Sequence, residues 1–129
     1  MTFKCVLDSH AWIEYFKGTK NGEKVKNFLE NQPCVTPSIV IAELSDKYSR
    51  DNNDFQKQID FILGKSNVIG LNTKLAIDAG KIKQIVRKKC KNNFGLADAI
   101  ILATAREQNG KVVTGDHHFK ELKNVEFLD

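Results

Sequence analysis

The most informative segment of the sequence is Phe94–Phe119, which reads FGLADAIILATAREQNGKVVTGDHHF. Its first part, Leu96–Ala105, is apolar on almost every face, and this is typical of a helix buried at the centre of a protein. Asp98 nevertheless lies in the first turn of that helix. A short strand is expected at Lys111–Thr114, and Asp116 follows it. An isolated carboxylate is costly to bury, so both acids require compensation.

Strands and helices alternate along the rest of the chain. Short apolar runs predict strands at Phe3–Leu7, Pro33–Val35, Val68–Leu71, Lys111–Thr114 and Val125–Leu128. Helical periodicity predicts helices at His10–Lys17, Glu23–Asn31, Ser38–Arg50 (with Thr36 as N-cap and Pro37 at the first helical position), Phe55–Leu63, Thr73–Cys90 and Leu96–Ala105. We therefore expect an α/β protein in which residues 1–129 form a single domain, a three-layer α/β/α sandwich with a short, mainly parallel central sheet of four to five strands.

The composition describes an ordinary globular protein with a small basic excess. Twenty Lys and Arg residues against sixteen Asp and Glu residues give a net charge of +4, which suits a polyanionic partner without requiring one. The cysteines Cys5, Cys34 and Cys90 are odd in number and lie in apolar contexts, so we expect reduced thiols rather than disulfides or a zinc site. The first ten residues contain no long apolar run. A cytoplasmic protein without membrane association is expected.

Four acidic residues occupy positions where a parallel sheet gathers its functional groups. Asp8 follows the first predicted strand, and Asp116 follows the strand at Lys111–Thr114. Functional sites in open parallel sheets lie at the carboxyl ends of the strands. Asp98 opens the helix that leads into the second of these strands, and Glu43 lies in the helix after the second strand of the chain. If the four side chains converge, they form an acidic pocket.

Each acid also has a purely structural interpretation. Asp8 is a suitable N-cap, and Glu43 is spaced to pair with Lys47. Asp98 faces the positive end of its helix, and Asp116 is a suitable turn residue. Taken together, however, the four acids would repel one another, and a divalent cation such as Mg²⁺ or Mn²⁺ resolves that repulsion with oxygen ligands. Carboxylate sites of this kind serve phosphoryl chemistry, so we hypothesise a metal-dependent phosphodiesterase.

The segments around these acids resemble a known family. They are VLDS at residues 6–9 followed by AWIEYF, TPSIVIAEL at residues 36–44, LADAIILATA at residues 96–105, and VTGD at residues 113–116 followed by Phe119. In this combination and order the chain resembles PIN-domain ribonucleases of the VapC type, the toxins of prokaryotic toxin–antitoxin pairs. The resemblance covers nearly the whole chain, from residue 6 to residue 119.

The resemblance implies an activity, a site and partners. The activity would be Mg²⁺- or Mn²⁺-dependent endoribonuclease cleavage of RNA by a metal-activated water, leaving a 5′-phosphate. The partners would be a small DNA-binding antitoxin protein and a second copy of the chain, in a homodimer. The implied catalytic and metal-binding quartet is Asp8, Glu43, Asp98 and Asp116, with Ser9 and Thr114 as supporting residues.

One position departs from the family pattern. Many relatives carry a further aspartate two residues after the acid that matches Asp116, whereas this chain has His118. If that extra acid helps to hold a second metal, the second site is weaker here or partly histidine-liganded. For His117 and His118 we expect solvated or turn-capping side chains rather than metal ligands. The number of metals, the RNA target and the cleavage site are not encoded in recognisable motifs.

Two surfaces have both a structural and a functional interpretation. The basic residues of the long fifth helix and just beyond it either form a solvated face or contact RNA phosphates, with Arg87 and Lys91 as candidate contacts; they are Lys81, Lys83, Arg87, Lys88, Lys89 and Lys91. The aromatic residues either fill the core or leave an exposed subset that forms a groove for a partner segment; they are Trp12, Tyr15, Phe16, Tyr48 and Phe55.

Other functions stay open at this point. A PIN nuclease outside toxin–antitoxin systems, which processes RNA or cuts structured DNA, would carry the same motifs. A catalytically idle PIN-like module would only bind a partner. Metal-free RNA cleavage by His10, His117 and His118 would produce a cyclic phosphate and tolerate EDTA. A phosphate-accepting domain with Asp8 as nucleophile would be expected to have a second acid where this chain has Ser9.

Overall fold

The computed structural model describes residues 3–129. Within this range the strands are β1 (Lys4–Leu7), β2 (Cys34–Pro37), β3 (Asn67–Ile69), β4 (Gly110–Thr114) and β5 (Val125–Phe127). The helices are α1 (Ser9–Lys17), α2 (Lys20–Asn31), α3 (Ser38–Arg50), α4 (Gln56–Lys65), α5 (Thr73–Lys89) and α6 (Leu96–Glu107), and a short 3₁₀ turn spans His117–Phe119. The predicted alternation of strands and helices is confirmed.

The five strands of the described chain form one sheet in the order β3-β2-β1-β4-β5, and every neighbouring pair is parallel. Val6 on β1 lies opposite Val35 on β2 and Val112 on β4. After β1 the chain builds one side of the sheet with β2 and β3, then crosses to the other side with β4 and β5. The boundary between β1 and β4 is therefore the switch point, where ligands bind in sheets of this kind.

The central strands are apolar because helices cover both faces of the sheet. Val6 and Leu7 of β1, and Val112 and Val113 of β4, have no exposed surface. Helix α6 is buried over its middle part, mostly between Ala99 and Ala105, and it packs against α5 and the central strands. The α/β/α sandwich with a parallel central sheet is confirmed. Four to five strands were expected, and the described chain has five.

The long helix α5 has one apolar face and one basic face. Its inward row consists of Leu75, Ala79, Ile82 and Val86, all of which are buried. The basic residues on its other side are exposed, except for the half-buried Lys83. This arrangement presents a row of positive charge to solvent beside the helix that contains Asp98.

The start of α3 differs from the prediction. Thr36 and Pro37 belong to β2 rather than to the helix, and Pro37 pairs in register with Ile69 of β3. The Thr36 hydroxyl accepts a hydrogen bond from Trp12 Nε1 at 3.1 Å and bonds to Ser66 Oγ at 2.8 Å. Because the hydroxyl satisfies buried polar groups of the core, it is not available as a helix cap. Helix α3 begins directly after the strand, at Ser38.

The junction between α6 and β4 also differs slightly. The helix extends to Glu107, and β4 begins at Gly110 rather than Lys111. Asn109 makes the turn with a positive φ of 52°. Gly110 lies opposite Lys4 of β1, and a Cβ at this position would collide with the Lys4 carbonyl oxygen. Glycine is therefore required here for the close approach of the two central strands.

The three cysteines are free, as expected. Cys5 and Cys34 are register partners on β1 and β2 and are buried in the core, whereas Cys90 is only half-buried at the end of α5. No helix among residues 3–129 is long and apolar enough to cross a membrane.

Candidate metal centre

Asp8 lies at the carboxyl end of β1 and is almost completely buried, with 3% of its surface exposed. One of its oxygens caps α1 by accepting a hydrogen bond from the Ala11 amide at 2.8 Å. Burial raises the pKa of the Asp8 carboxyl from 3.8 to about 7. Hydrogen bonds from Thr114 and Ala11 lower this pKa, and the charges of Asp116 and Glu43 raise it. The predicted cap is therefore present, and it fixes a carboxylate whose ionisation is costly.

The turn after β4 is the second part of the site. The Thr114 hydroxyl accepts a hydrogen bond from the Asp116 amide at 2.9 Å, and Asp116 Oδ1 accepts one from the His118 amide at 2.9 Å. The Gly115 amide donates to His10 Nδ1 at 3.1 Å, and a Cβ on Gly115 would collide with the His10 ring. His10 of α1 therefore holds the turn that presents Asp116.

Asp98 enters the site from the first turn of α6. Its Oδ2 atom accepts a hydrogen bond from the Gly95 amide at 3.0 Å and lies 3.0 Å from His118 Nδ1. The same ring nitrogen is 3.7 Å from Asp116 Oδ1. One ligand atom each from Asp98, Asp116 and His118 fall within 4.8 Å of one another. These three side chains form a cluster able to contact a single ion.

Glu43 reaches the site from α3. It does not pair with Lys47, which instead forms an ion pair with Asp51 at 3.3 Å. The Oε1 atom of Glu43 is buried and has no hydrogen-bond partner within residues 3–129. Burial raises the pKa of the Glu43 carboxyl, while the nearby Ser9 side chain lowers it. The orphaned oxygen marks a polar group for which the fold supplies no partner.

The four predicted acids converge. The charges of Asp98 and Asp116 raise the pKa of Glu43, and those of Asp116 and Glu43 raise the pKa of Asp8. In the part of the chain that the structure describes, no lysine or arginine forms an ion pair with any of the four acids. Like charges held this close repel one another unless a cation lies between them. Ser9 and Thr114 lie beside Glu43 and Asp8, respectively.

The donor set fits a divalent cation. Carboxylate oxygens suit Mg²⁺ and Mn²⁺, and the unpartnered Glu43 oxygen is a ready ligand. Asp8, Asp98 and Asp116 each accept a hydrogen bond from a backbone amide, which holds the side chain in place. The structural interpretation of these three acids is therefore also correct, and the capping bonds orient the carboxylates for a ligand.

The two candidate RNA contacts, Arg87 and Lys91, differ in their contacts within the chain. Arg87 is exposed, but its Nε donates a hydrogen bond of 2.7 Å to the carbonyl oxygen of Phe94, just before α6. Lys91 is exposed as well. Replacing Arg87 would therefore alter the approach to α6 together with any RNA contact, and Lys91 is the more direct probe of the basic face.

The aromatic residues divide into two groups. Trp12 is fully buried and stacks on Phe16 with a centroid distance of 5.6 Å, while Tyr15 stacks on Phe61 at 5.2 Å. Tyr48 and Phe55 stack on each other at 5.0 Å. Tyr15 and Phe61 also line an open cavity of about 400 Å³ together with Lys26, Leu29, Glu30 and Lys65. Part of the predicted aromatic set is thus core, and Tyr15 lies beside a surface depression.

Comparison with known proteins identifies the family. The model of the PIN domain family matches residues 5–125. A comparison of the sequence with curated proteins finds no match. Among solved structures, VapBC2 from Rickettsia felis bound to a promoter DNA fragment is similar with a TM-score of 0.75, 22% identity, and coverage of 98% of this chain and 99% of that chain.

Two further structures are similar over nearly the whole chain. A toxin–antitoxin complex from Klebsiella pneumoniae matches with a TM-score of 0.75, 21% identity, and coverage of 97% of this chain and 98% of that chain. VapC20 from Mycobacterium tuberculosis, a toxin that cleaves the sarcin–ricin loop, matches with a TM-score of 0.74, 17% identity, and coverage of 97% and 99%. At these identities the structures share the fold. With the family match over residues 5–125, the chain belongs to the PIN domain family.

Proposed function

We propose that the protein is a metal-dependent endoribonuclease and the toxin of a toxin–antitoxin pair. The observation that carries this proposal is the convergence of four carboxylates at the β1–β4 switch point, with a buried Glu43 oxygen that lacks a partner among residues 3–129. Membership of the PIN domain family supports nuclease chemistry at this site. The sarcin–ricin loop is the target of one protein with the same fold, which supports RNA as the substrate class here.

The four acids lie at different depths in the proposed site. Asp8, which is buried, and the buried Oε1 atom of the half-buried Glu43 form the floor of the pocket, and Asp98 and Asp116 form its rim, with 16% and 37% of their side chains exposed. Thr114 contacts Asp8 and the backbone of Asp116, and thereby links floor and rim. The four acids would hold Mg²⁺ or Mn²⁺, and the open rim would admit the RNA backbone.

The bound cation would supply Lewis acidity, which makes a water a better nucleophile and offsets charge on the phosphate at the transition state. The acids keep that cation fixed because backbone amides already orient three of them. Preorganised charges of this kind cost no rearrangement during the reaction. Attack by water on the phosphorus, with cleavage of the P–O3′ bond, would leave a 5′-phosphate and a 3′-hydroxyl, whereas attack by the ribose 2′-hydroxyl would leave a cyclic phosphate.

Similar structures in complex with partner proteins support an antitoxin as the partner. The Klebsiella pneumoniae structure is a toxin–antitoxin complex, and the Rickettsia felis VapBC2 complex is bound to promoter DNA. We include in the proposal a small DNA-binding antitoxin and a homodimer of this chain. The cavity beside Tyr15 and Phe61 is a candidate contact for an apolar segment of the antitoxin.

The test is cleavage of a mixed RNA pool with Mg²⁺, Mn²⁺ or EDTA, followed by analysis of the product ends. Cleavage that requires a metal and leaves 5′-phosphates is the expected result. A cyclic phosphate product in EDTA would instead indicate histidine acid–base chemistry. Growth arrest on expression, reversed by a co-expressed antitoxin, distinguishes a toxin from an RNA-processing nuclease. Absence of cleavage with either metal would contradict the proposed activity.

A further inference from the structure

His118 lies in the site, beside the two rim acids. Its Nδ1 atom faces both rim acids, 3.0 Å from Asp98 Oδ2 and 3.7 Å from Asp116 Oδ1. About a third of its side chain is exposed, so the ring is partly accessible to solvent. The residue therefore adds a nitrogen donor to an otherwise oxygen-only site.

The distances between these donor atoms are those expected for ligands of a single octahedral metal ion. Ligands at about 2.1 Å from such an ion lie about 3.0 Å apart when they occupy adjacent corners. The observed distance between His118 Nδ1 and Asp98 Oδ2 is 3.0 Å. The three donor atoms from Asp98, Asp116 and His118 lie within 4.8 Å of one another. Little movement would bring all three onto the same ion.

The backbone of the turn that carries His118 is held in place by neighbouring contacts. Asp116 Oδ1 accepts the His118 amide at 2.9 Å, and the next residue, Phe119, is fully buried. The Phe119 ring packs edge-on against Phe94 with a centroid distance of 5.7 Å. Phe94 lies immediately before α6, and its carbonyl is held by Arg87. These contacts couple the His118 turn to the helix that carries Asp98.

We propose that His118 is a nitrogen ligand of the divalent cation, together with Asp98 and Asp116, and that this ligand biases the site toward Mn²⁺ over Mg²⁺. The proposal rests on the proposed metal-dependent function and adds the identity of the preferred metal. Imidazole suits transition metals, whereas Mg²⁺ is held by oxygen ligands and water. A hydrogen bond between His118 and Asp98 without a role in metal binding is the alternative that the experiment must separate.

The experiment measures nitrogen coupling to Mn²⁺ in the full-length chain by electron spin-echo envelope modulation. Wild type and the neighbouring-histidine control His117→Asn should both show ¹⁴N modulation from a directly bound imidazole. His118→Asn and His118→Asp should lose it. Titration calorimetry then gives the Kd for Mn²⁺ and for Mg²⁺ in each protein. His118→Asp, which restores an oxygen donor, should reduce the preference for Mn²⁺ over Mg²⁺ about tenfold, the scale of change seen when groups around a metal are altered.

The outcomes separate this proposal from the function on which it rests. Tight Mn²⁺ binding by the wild type without ¹⁴N modulation would overturn ligation by His118 and leave the metal-dependent nuclease intact. Modulation that persists in His118→Asn, or an unchanged metal preference in His118→Asp, would overturn it as well. Failure of the wild type to bind either metal would overturn both proposals. Circular dichroism of each variant in EDTA confirms that the fold is retained.

Discussion

The carboxyl groups on the floor of the acidic pocket and those on its rim have different surroundings. On the floor, Asp8 is buried with a pKa raised to about 7, and a buried oxygen of Glu43 has no partner within residues 3–129. On the rim, Asp98 and Asp116 are partly exposed and face the His118 ring. Burial therefore disfavours the ionised form of the floor carboxyls, whereas solvent and a ring nitrogen of the chain lie beside the rim carboxyls. The difference shows that a site can be preorganised by its fold and still be electrostatically incomplete.

The largest effect is expected from changes at the floor. Asp8→Asn keeps a capping side chain but removes the buried charge, so metal-dependent cleavage should fall at least about 100-fold while the stability in EDTA is maintained or increased. Asp8→Ala removes the cap as well and should cost about 1 kcal/mol of stability. Thermal unfolding in EDTA and cleavage rates measure the two effects. Equal cleavage by Asp8→Asn and wild type would show that the floor is structural only.

Protonation of Asp8 should make the stability of the fold depend on pH, and a bound metal should weaken that dependence. The folded state holds the Asp8 proton up to about pH 7, whereas the unfolded chain releases it near 3.8. The contribution of this group to stability is therefore greatest below pH 3.8 and is lost as the pH rises to about 7. In EDTA, this loss should be present in wild type and smaller in Asp8→Asn, which keeps only the raised pKa of Glu43. With saturating Mn²⁺ the carboxylate is held ionised, so the slope between pH 4 and pH 7 should flatten. Denaturant unfolding at several pH values checks this, and equal slopes in wild type and Asp8→Asn would contradict it.

The smallest effect is expected outside the pocket, on the basic face of α5 and the residues after it. Lys91→Glu should weaken RNA binding and reduce the dependence of log Kd on log salt by about one unit, with thermal stability unchanged. Arg87→Glu is a less specific probe because it also removes the hydrogen bond to Phe94, worth about 1 kcal/mol. Filter binding over a series of salt concentrations gives the slope. An unchanged slope in Lys91→Glu would remove this face from the proposed RNA path.

The sequence was sufficient to predict the fold and the convergence of the acids for a physical reason. Parallel strands must share one carboxyl edge, so acids that follow β1 and β4 must meet wherever the strands are neighbours. Thr36 was assigned to the wrong element because its hydroxyl bonds to Trp12 and Ser66, residues distant along the chain. Local capping rules contain no information about such partners.

The histidine contacts could not be predicted for the same reason. His10 and Gly115 are separated by 105 positions, and His118 and Asp98 by 20. Both contacts depend on the turn after β4, whose geometry follows from the packing of Phe119 against Phe94. The one available signal was the resemblance to the family pattern, in which a further aspartate is expected at the position of His118. That signal indicated the position but not the direction in which the ring points.

The most direct test of the account is RNA cleavage by wild type and Asp98→Asn, each with Mg²⁺, Mn²⁺ or EDTA. Asp98 is the informative choice because it lies on the rim, contacts His118 and interacts with Glu43 on the floor. The substitution keeps the shape of the side chain and removes one charge. We predict metal-dependent cleavage by wild type and a loss of at least about 100-fold in Asp98→Asn. Equal cleavage by both proteins, or cleavage that survives EDTA, would contradict the acidic pocket as the active site.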